Sequence, residues 1–247
     1  MEDVQQGQQY QLLLNLFLSE EVLDLESTSD SSINNLDELV KKMPMLKRFI
    51  GYEYKIIEPA FIDQGQQGFV FRFRYNGRDL CLKLFYEYTA PYDAEHVAFT
   101  SPFGCESRAF ARLCDMHENG HWAVRCHGWM CLTDSQLQQL WEVSGRVRYD
   151  PNWYRARWAI VKDFIADEPP SPEEKGFESI ISNFCIPKRG RILPRDVKKS
   201  NYRGDRIVDL GSTITFPFYR RYASWTDFTD FFSDFDTNEL PLWDRDM

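Results

Sequence analysis

Apolar positions change their spacing along this chain, and each change marks a predicted element. Behind a Gln-rich start (Val4 to Gln11), Leu12, Leu13, Leu16, Phe17, Val22, Leu23 and Leu25 recur at helical intervals. They predict one amphipathic helix or two short ones. Ser27 to Ser32 is a polar break. Leu36, Leu39, Val40, Met43 and Leu46 resume the helical spacing, with Asn35 placed as an N-cap. The period then shortens. Tyr52 to Phe61 reads as a first strand. Two β-type runs follow, Val70, Phe71, Phe73, Tyr75 and then Leu80, Leu82, Leu84, flanking Asn76-Gly77. Asn-Gly between such runs is the strongest short-range hairpin signal. Asp93 to Phe103 has the turn chemistry of a connection. Cys105 to Leu113 is helical in pattern, with Phe110 and Leu113 on one face. Trp122 to Leu132 and Arg157 to Ile165 are apolar runs that complete the sheet. Between them lie a short helix at Ser135 to Val143 and a turn at Asp150-Pro151-Asn152. Pro169, Pro170 and Pro172 mark a boundary, and Phe177, Ile180, Ile181 and Phe184 form the next helical stripe. From Tyr219 the chain is acidic and aromatic. Ser224 or Thr226 would cap a short helix with Phe228, Phe231, Phe232 and Phe235 on one face.

These elements predict an α+β fold in two lobes. Residues 1–51 form a helical N-terminal extension, 52–164 a mostly β lobe with one long helix, and 165–247 a reduced C-terminal lobe. The extension and the aromatic tail either pack on the lobes or offer a surface to a protein partner. A chain of 247 residues with 43% hydrophobic and 15% aromatic content can bury a sizeable core. Its net charge of −9 argues against a broad nucleic-acid-binding surface. The basic stretch Lys188 to Arg206 is local and suits a polyphosphate. Six scattered cysteines favour a reducing compartment. There is no secretory pattern at the N-terminus and no stretch that approaches a membrane span. The expected location is the nucleus or cytoplasm.

The candidate chemistry lies in four segments. Arg195-Asp196 is followed by Lys198 and Asn201, and Val208-Asp209-Leu210-Gly211 closes that segment. Upstream stand Asp63-Gln-Gly65-Gln-Gln-Gly68-Phe-Val70, then Lys83 within a strand pattern, then Glu106 in a helical pattern. Their order and spacing resemble the glycine-rich loop, strand lysine, helix glutamate, catalytic loop and metal-binding turn of protein kinases. The resemblance implies a protein-kinase-like fold that binds ATP and magnesium. On that resemblance Asp196 would orient a hydroxyl and Lys198 would neutralise the transferring phosphoryl group. Asn201 and Asp209 would hold magnesium, and Lys83, locked by Glu106, would grip the phosphates. Backbone N–H groups at Gly65 to Gly68 would cover them beside Val70, and the backbone at Asp163 to Ile165 would meet the adenine.

Several positions depart from the kinase pattern. Pro194 replaces the His before Arg195, Leu210 the Phe of D-F-G, and Asp63 the first glycine, putting a carboxylate near the phosphates. Cys81 stands where a small adenine-facing Ala is usual. Only a tight Arg203-Gly204-Asp205 turn between short strands separates Asn201 from Asp209, and no A-P-E-like segment follows Gly211. His117-Glu118-Asn119-Gly120-His121 spells the H-E-x-x-H of zinc proteases. That chemistry needs a continuous helix, which Asn119-Gly120 opposes.

Beyond the general kinase pattern, the chain resembles a fungal family of small kinase-like proteins labelled as a kinetochore-complex subunit of the Fta type. The residues that carry it are Gly68-Phe-Val70, Lys83-Leu-Phe85, Phe103 to Phe110, Val124 to Gly128, Ala159 to Lys162, Arg195 to Lys198, Asn201 to Gly204 and Val208-Asp209. That label implies centromere-associated protein binding. Two functions follow. One is an ATP- and magnesium-binding phosphotransferase acting on a hydroxyl. The other is a non-catalytic pseudokinase scaffold at the kinetochore.

Overall fold

Phe69, Phe71 and Phe73 alternate with Val70, Arg72 and Arg74, and this period of two turns all three rings to one face of a strand, where each is buried. The computed structural model describes residues 13–14, 16–25, 35–87, 94–171, 175–218 and 223–235. Among these, seven strands form one mixed sheet: β1 (Leu18–Val22), β2 (Leu46–Arg48), β3 (Ile57–Gln64), β4 (Gly68–Tyr75), β5 (Arg78–Phe85), β6 (Cys126–Cys131) and β7 (Trp158–Asp163). Their spatial order is β1-β2-β6-β7-β5-β4-β3. The strands from β3 to β6 pair antiparallel, while β2 joins β6, and β1 joins β2, in parallel. Asn76 and Gly77 turn the β4–β5 hairpin with φ of 48° and 76°, the left-handed pair that a two-residue hairpin requires. The register runs unbroken from Tyr75 opposite Arg78 to Gly68 opposite Phe85.

The two faces of the sheet bury different cores. One collects the three phenylalanines with Leu80, Leu82, Leu84, Ala159 and Val161, under Leu137 and Leu140 of the Asp134–Val143 helix and Trp153. Thr133 starts that helix with a complete capping box to Gln136. The other face meets the Pro102–Asp115 helix, whose residues from Phe103 to Leu113 are all buried. Around it pack Phe17, Leu18, Leu46, Ile160 and the C-terminal residues Ile192, Tyr202, Ile207, Leu210, Phe228 and Phe232. Such a helix must pair its polar groups internally. Arg112 donates to the carbonyls of Gly190 (3.0 Å), Val40 (3.1 Å), Lys42 (2.8 Å) and Phe216 (2.9 Å), joining three distant segments. Arg108 reaches the carbonyls of Thr215 and Pro217 and lies 4.0 Å over the Phe99 ring. Two short pairs follow in the chain: β8 (Ile192–Leu193) with β11 (Ile214–Thr215), and β9 (Tyr202–Arg203) with β10 (Arg206–Ile207), the last two closed by Gly204-Asp205.

Several expectations hold. Asn35 caps the Leu36–Lys41 helix, its side chain accepting the Glu38 N–H at 3.2 Å. Helices at Lys175–Asn183 and Trp225–Phe235 bury Ile180, and Phe228 with Phe232. The Ser224 hydroxyl accepts the Asp227 N–H as the expected cap. Other expectations are corrected. The helical spacing over 12–25 gives a strand at Leu18–Val22, because a parallel partner at Leu46–Arg48 satisfies its backbone: Leu46 N–H donates to Phe17 and Leu23 N–H to Arg48. The N-terminal extension is therefore woven into the sheet edge rather than wholly helical. Helix 36–46 stops at Lys41, since Pro44 disfavours helical backbone before it. The strand expected from Tyr52 begins at Ile57, five residues later. Ala94–Thr100 is a helix, not only a connection. The Gln-rich start, the Ser27 to Ser32 break, Pro172 and the tail beyond Phe235 lie outside the described residues.

Candidate functional site

Strand register assembles the site. Lys83 on β5 stands opposite Ile160 on β7, and Cys81 stands opposite Lys162. Residues two apart on a strand share a face, so Lys83 and Lys162 both point toward the Pro102–Asp115 helix. There Glu106, fully buried, receives both: Lys83 Nζ is 2.8 Å from Oε2 and Lys162 Nζ is 2.7 Å from Oε1. Asp209, just after β10, adds a second carboxylate, with Oδ1 2.8 Å from Lys83 Nζ. Two ammonium groups thus meet two carboxylates in a closed, charge-balanced network. Lys162 also donates to the Val208 carbonyl at 2.7 Å.

An ammonium has three protons to donate. Lys83 gives them to Glu106, to Asp209 and, at 3.0 Å, to Gln67 Oε1 of the loop between β3 and β4. Burial alone would pull the Lys83 pKa down, but Glu106 and Asp209 overcome it and raise it above the ordinary lysine value. Burial pushes Asp209 the other way. The charges of Lys83 and Lys162 and the hydrogen bonds from Lys83 and the Gly211 N–H (2.8 Å) prevail and hold its carboxyl below the usual Asp range.

The loop itself is a tight turn: Gly65 N–H donates to the Gly68 carbonyl at 3.0 Å. Gly68 is glycine for packing, since a Cβ there would collide with the Leu84 carbonyl. Gly65 faces open space, and Gly211 makes room for the Gln67 side chain. Val70 lies half-buried opposite Lys83.

Asp196, Lys198 and Asn201 form a second cluster. Asn201, nearly buried, donates from Nδ2 to the Asp196 carboxylate at 3.0 Å and to its carbonyl at 2.8 Å. Lys198 Nζ lies 3.5 Å from Asp196 Oδ2, and both side chains are partly exposed. Val208 joins the clusters: its N–H donates to the Asn201 carbonyl at 2.8 Å, while its own carbonyl accepts from Lys162. Asp163 and Ile165 make other contacts. The Asp163 carboxylate is 2.6 Å from His127 Nε2, and its N–H already donates to the Arg125 carbonyl at 2.9 Å. Ile165 packs against the core beside the Gly204 turn.

His117 and His121 sit in a turn, with φ of 58° at His117 and 97° at Gly120, so the helix that H-E-x-x-H requires is not formed. Sequence reasoning missed Lys162 and Gln67. No local signal marked Lys162, because only its register opposite Cys81 puts it on the face of Lys83. Nothing local marked Gln67 among its glutamine neighbours.

Among the described residues no helix is long and apolar enough to cross a membrane. The family model described as kinetochore Sim4 complex subunit FTA2 matches residues 32–214, well over half of the chain and every residue of both clusters. Comparison with curated proteins gave no match.

Proposed function

The chain belongs to the kinetochore Sim4 complex subunit FTA2 family, and on that premise we propose that it acts in the nucleus as a protein-binding subunit of a kinetochore-associated complex, built on a kinase-like two-lobe core. The observation that carries this reading is the closure of the buried network. With both lysines neutralised and every Lys83 proton used, the protein's own side chains tie sheet, helix and the Asp209 turn together. A scaffold needs that rigidity. Its partner surface includes the outer face of the Trp225–Phe235 helix, where Asp227 and Asp230 are exposed. Asp196→Asn tests the reading, because Asp196 is partly exposed and lies outside the buried network. A scaffold carrying this change still localises to kinetochores and still co-purifies its complex. Loss of either, with the fold intact, would contradict the proposal.

A second reading is favoured by the link through Val208, which couples the Asp196–Asn201 cluster to Asp209. Here the protein binds ATP and magnesium and transfers a phosphoryl group to a hydroxyl. Lys83, held by Glu106, grips the phosphates under Gly65 to Gly68 and Val70. Asp196 orients the acceptor, Lys198 balances the moving charge, and Asn201 and Asp209 hold the metal. The backbone from Asp163 to Ile165 borders the adenine, with Ile165 the better placed because the Asp163 N–H is engaged. Magnesium, when bound, neutralises phosphate charge. Thermal shift with millimolar ATP, with and without magnesium, tests it. A magnesium-dependent stabilisation absent in Lys83→Ala and Asp209→Ala supports nucleotide binding, and no shift removes the catalytic reading.

A further inference from the structure

We propose that the side-chain carboxamide of Gln67 occupies the phosphate position on Lys83, so that the loop plugs its own oxyanion site and a nucleotide binds only by displacing it. The inference rests on the nucleotide-binding reading and adds its gate.

Lys83 has no proton left over: Glu106 and Asp209 each take one at 2.8 Å, and Gln67 Oε1 takes the third at 3.0 Å. A phosphate oxygen can reach this ammonium only in place of one of the three. Glu106 and Asp209 are charged, and hydrogen bonds between ionised partners are the stronger kind. Gln67 is neutral and half-buried, and so is the acceptor that yields. Its far end is weakly held, with Nε2 3.4 Å from Ser212 Oγ. Its backbone is fixed, because the Gln67 carbonyl accepts the Tyr86 N–H at 3.0 Å beside the β4–β5 ladder. Displacement therefore needs a side-chain rotation, not an opening of the loop. Gly211 completes the device, since any larger residue there would strike the carboxamide.

The charge balance adds a condition. Lys83 and Lys162 are already matched by Glu106 and Asp209. An incoming phosphate brings uncompensated negative charge between the half-buried Gln67 and Asp209, which is costly without a cation. On the nucleotide-binding reading, the ligand is accordingly a nucleoside triphosphate that enters with its divalent metal rather than alone.

Calorimetric titration of the full chain with magnesium–ATP tests this, comparing wild type, Gln67→Ala, Gln67→Glu and Gln67→Ala with Lys83→Met. The plug predicts that Gln67→Ala binds about tenfold more tightly than wild type, that Gln67→Glu binds more weakly, and that the gain vanishes when Lys83 is replaced. A tenfold gain corresponds to about 1.4 kcal/mol, comparable to one hydrogen bond to a charged group. If wild type and Gln67→Ala bind equally, the plug is wrong while nucleotide binding stands. If neither binds at millimolar concentration, the nucleotide reading falls and takes the plug with it.

Discussion

The same strands present two unlike faces. On one, Phe69, Phe71, Phe73, Leu80, Leu82 and Leu84 pack into one apolar cluster. On the other, Lys83 and Lys162 are sunk beside Glu106 and Asp209. The first face is held by buried area and close packing, which degrade by increments as atoms are removed. The second is held by mutual neutralisation, which fails when any one partner is lost. A residue's neighbours on the sheet therefore say less about its tolerance to change than the face it lies on.

The largest effect should come from the charged face. Glu106→Gln leaves two buried ammonium groups short of a carboxylate and is expected to cost about 3–5 kcal/mol, read by urea unfolding. A cost near zero would erase the distinction between the faces. On the apolar face, Leu82→Ala, at a fully buried position, should cost about 2–5 kcal/mol, with no pH dependence of its own. Gly68→Ala forces a methyl against the Leu84 carbonyl and should cost about 1–3 kcal/mol by strain alone. Asn35→Ala removes a cap far from both faces and should cost about 1 kcal/mol.

Acidity separates the faces further. The Asp209 pKa is depressed in the fold, so its contribution is present above the unfolded value of about 3.9 and fades as pH falls below it. The Lys83 pKa is raised, so its contribution persists up to the ordinary lysine value, about 10.4, and fades as pH rises further. The stability gap between wild type and Asp209→Asn should accordingly be constant near neutrality and narrow below about pH 4. The gap between wild type and Leu82→Ala should stay constant over the same range. Melting temperature against pH reads both.

Much of the apolar face was legible in the sequence, because alternation and Asn76-Gly77 are local signals. The hairpin, the Asp134–Val143 helix and the Asn35 cap lie where their patterns put them. Lys83, Glu106 and Asp209 were also legible, since order and spacing marked them, and they converge at 2.8 Å. Lys162 and Gln67 were not, because their roles depend on which strand or loop faces which. Leu18–Val22 misled for the same reason. Its spacing is helical, and only the strand that ends at Arg48, distant in the chain, makes extended backbone the better choice. Local pattern identified what each segment favours by itself, whereas pairing decided the cases in which a distant partner outweighed that preference.

The charge network of Lys83, Lys162, Glu106 and Asp209 holds the second face together by itself. A double-mutant cycle between Glu106→Gln and Lys162→Met, by equilibrium unfolding of the protein free of nucleotide and metal, tests it most directly. Once Glu106 is gone, Lys162 has lost its carboxylate, and removing it should cost little more. The account predicts that the double variant costs less than the sum of the singles by about 1–3 kcal/mol. Additive costs would show that the two groups act independently and would contradict it.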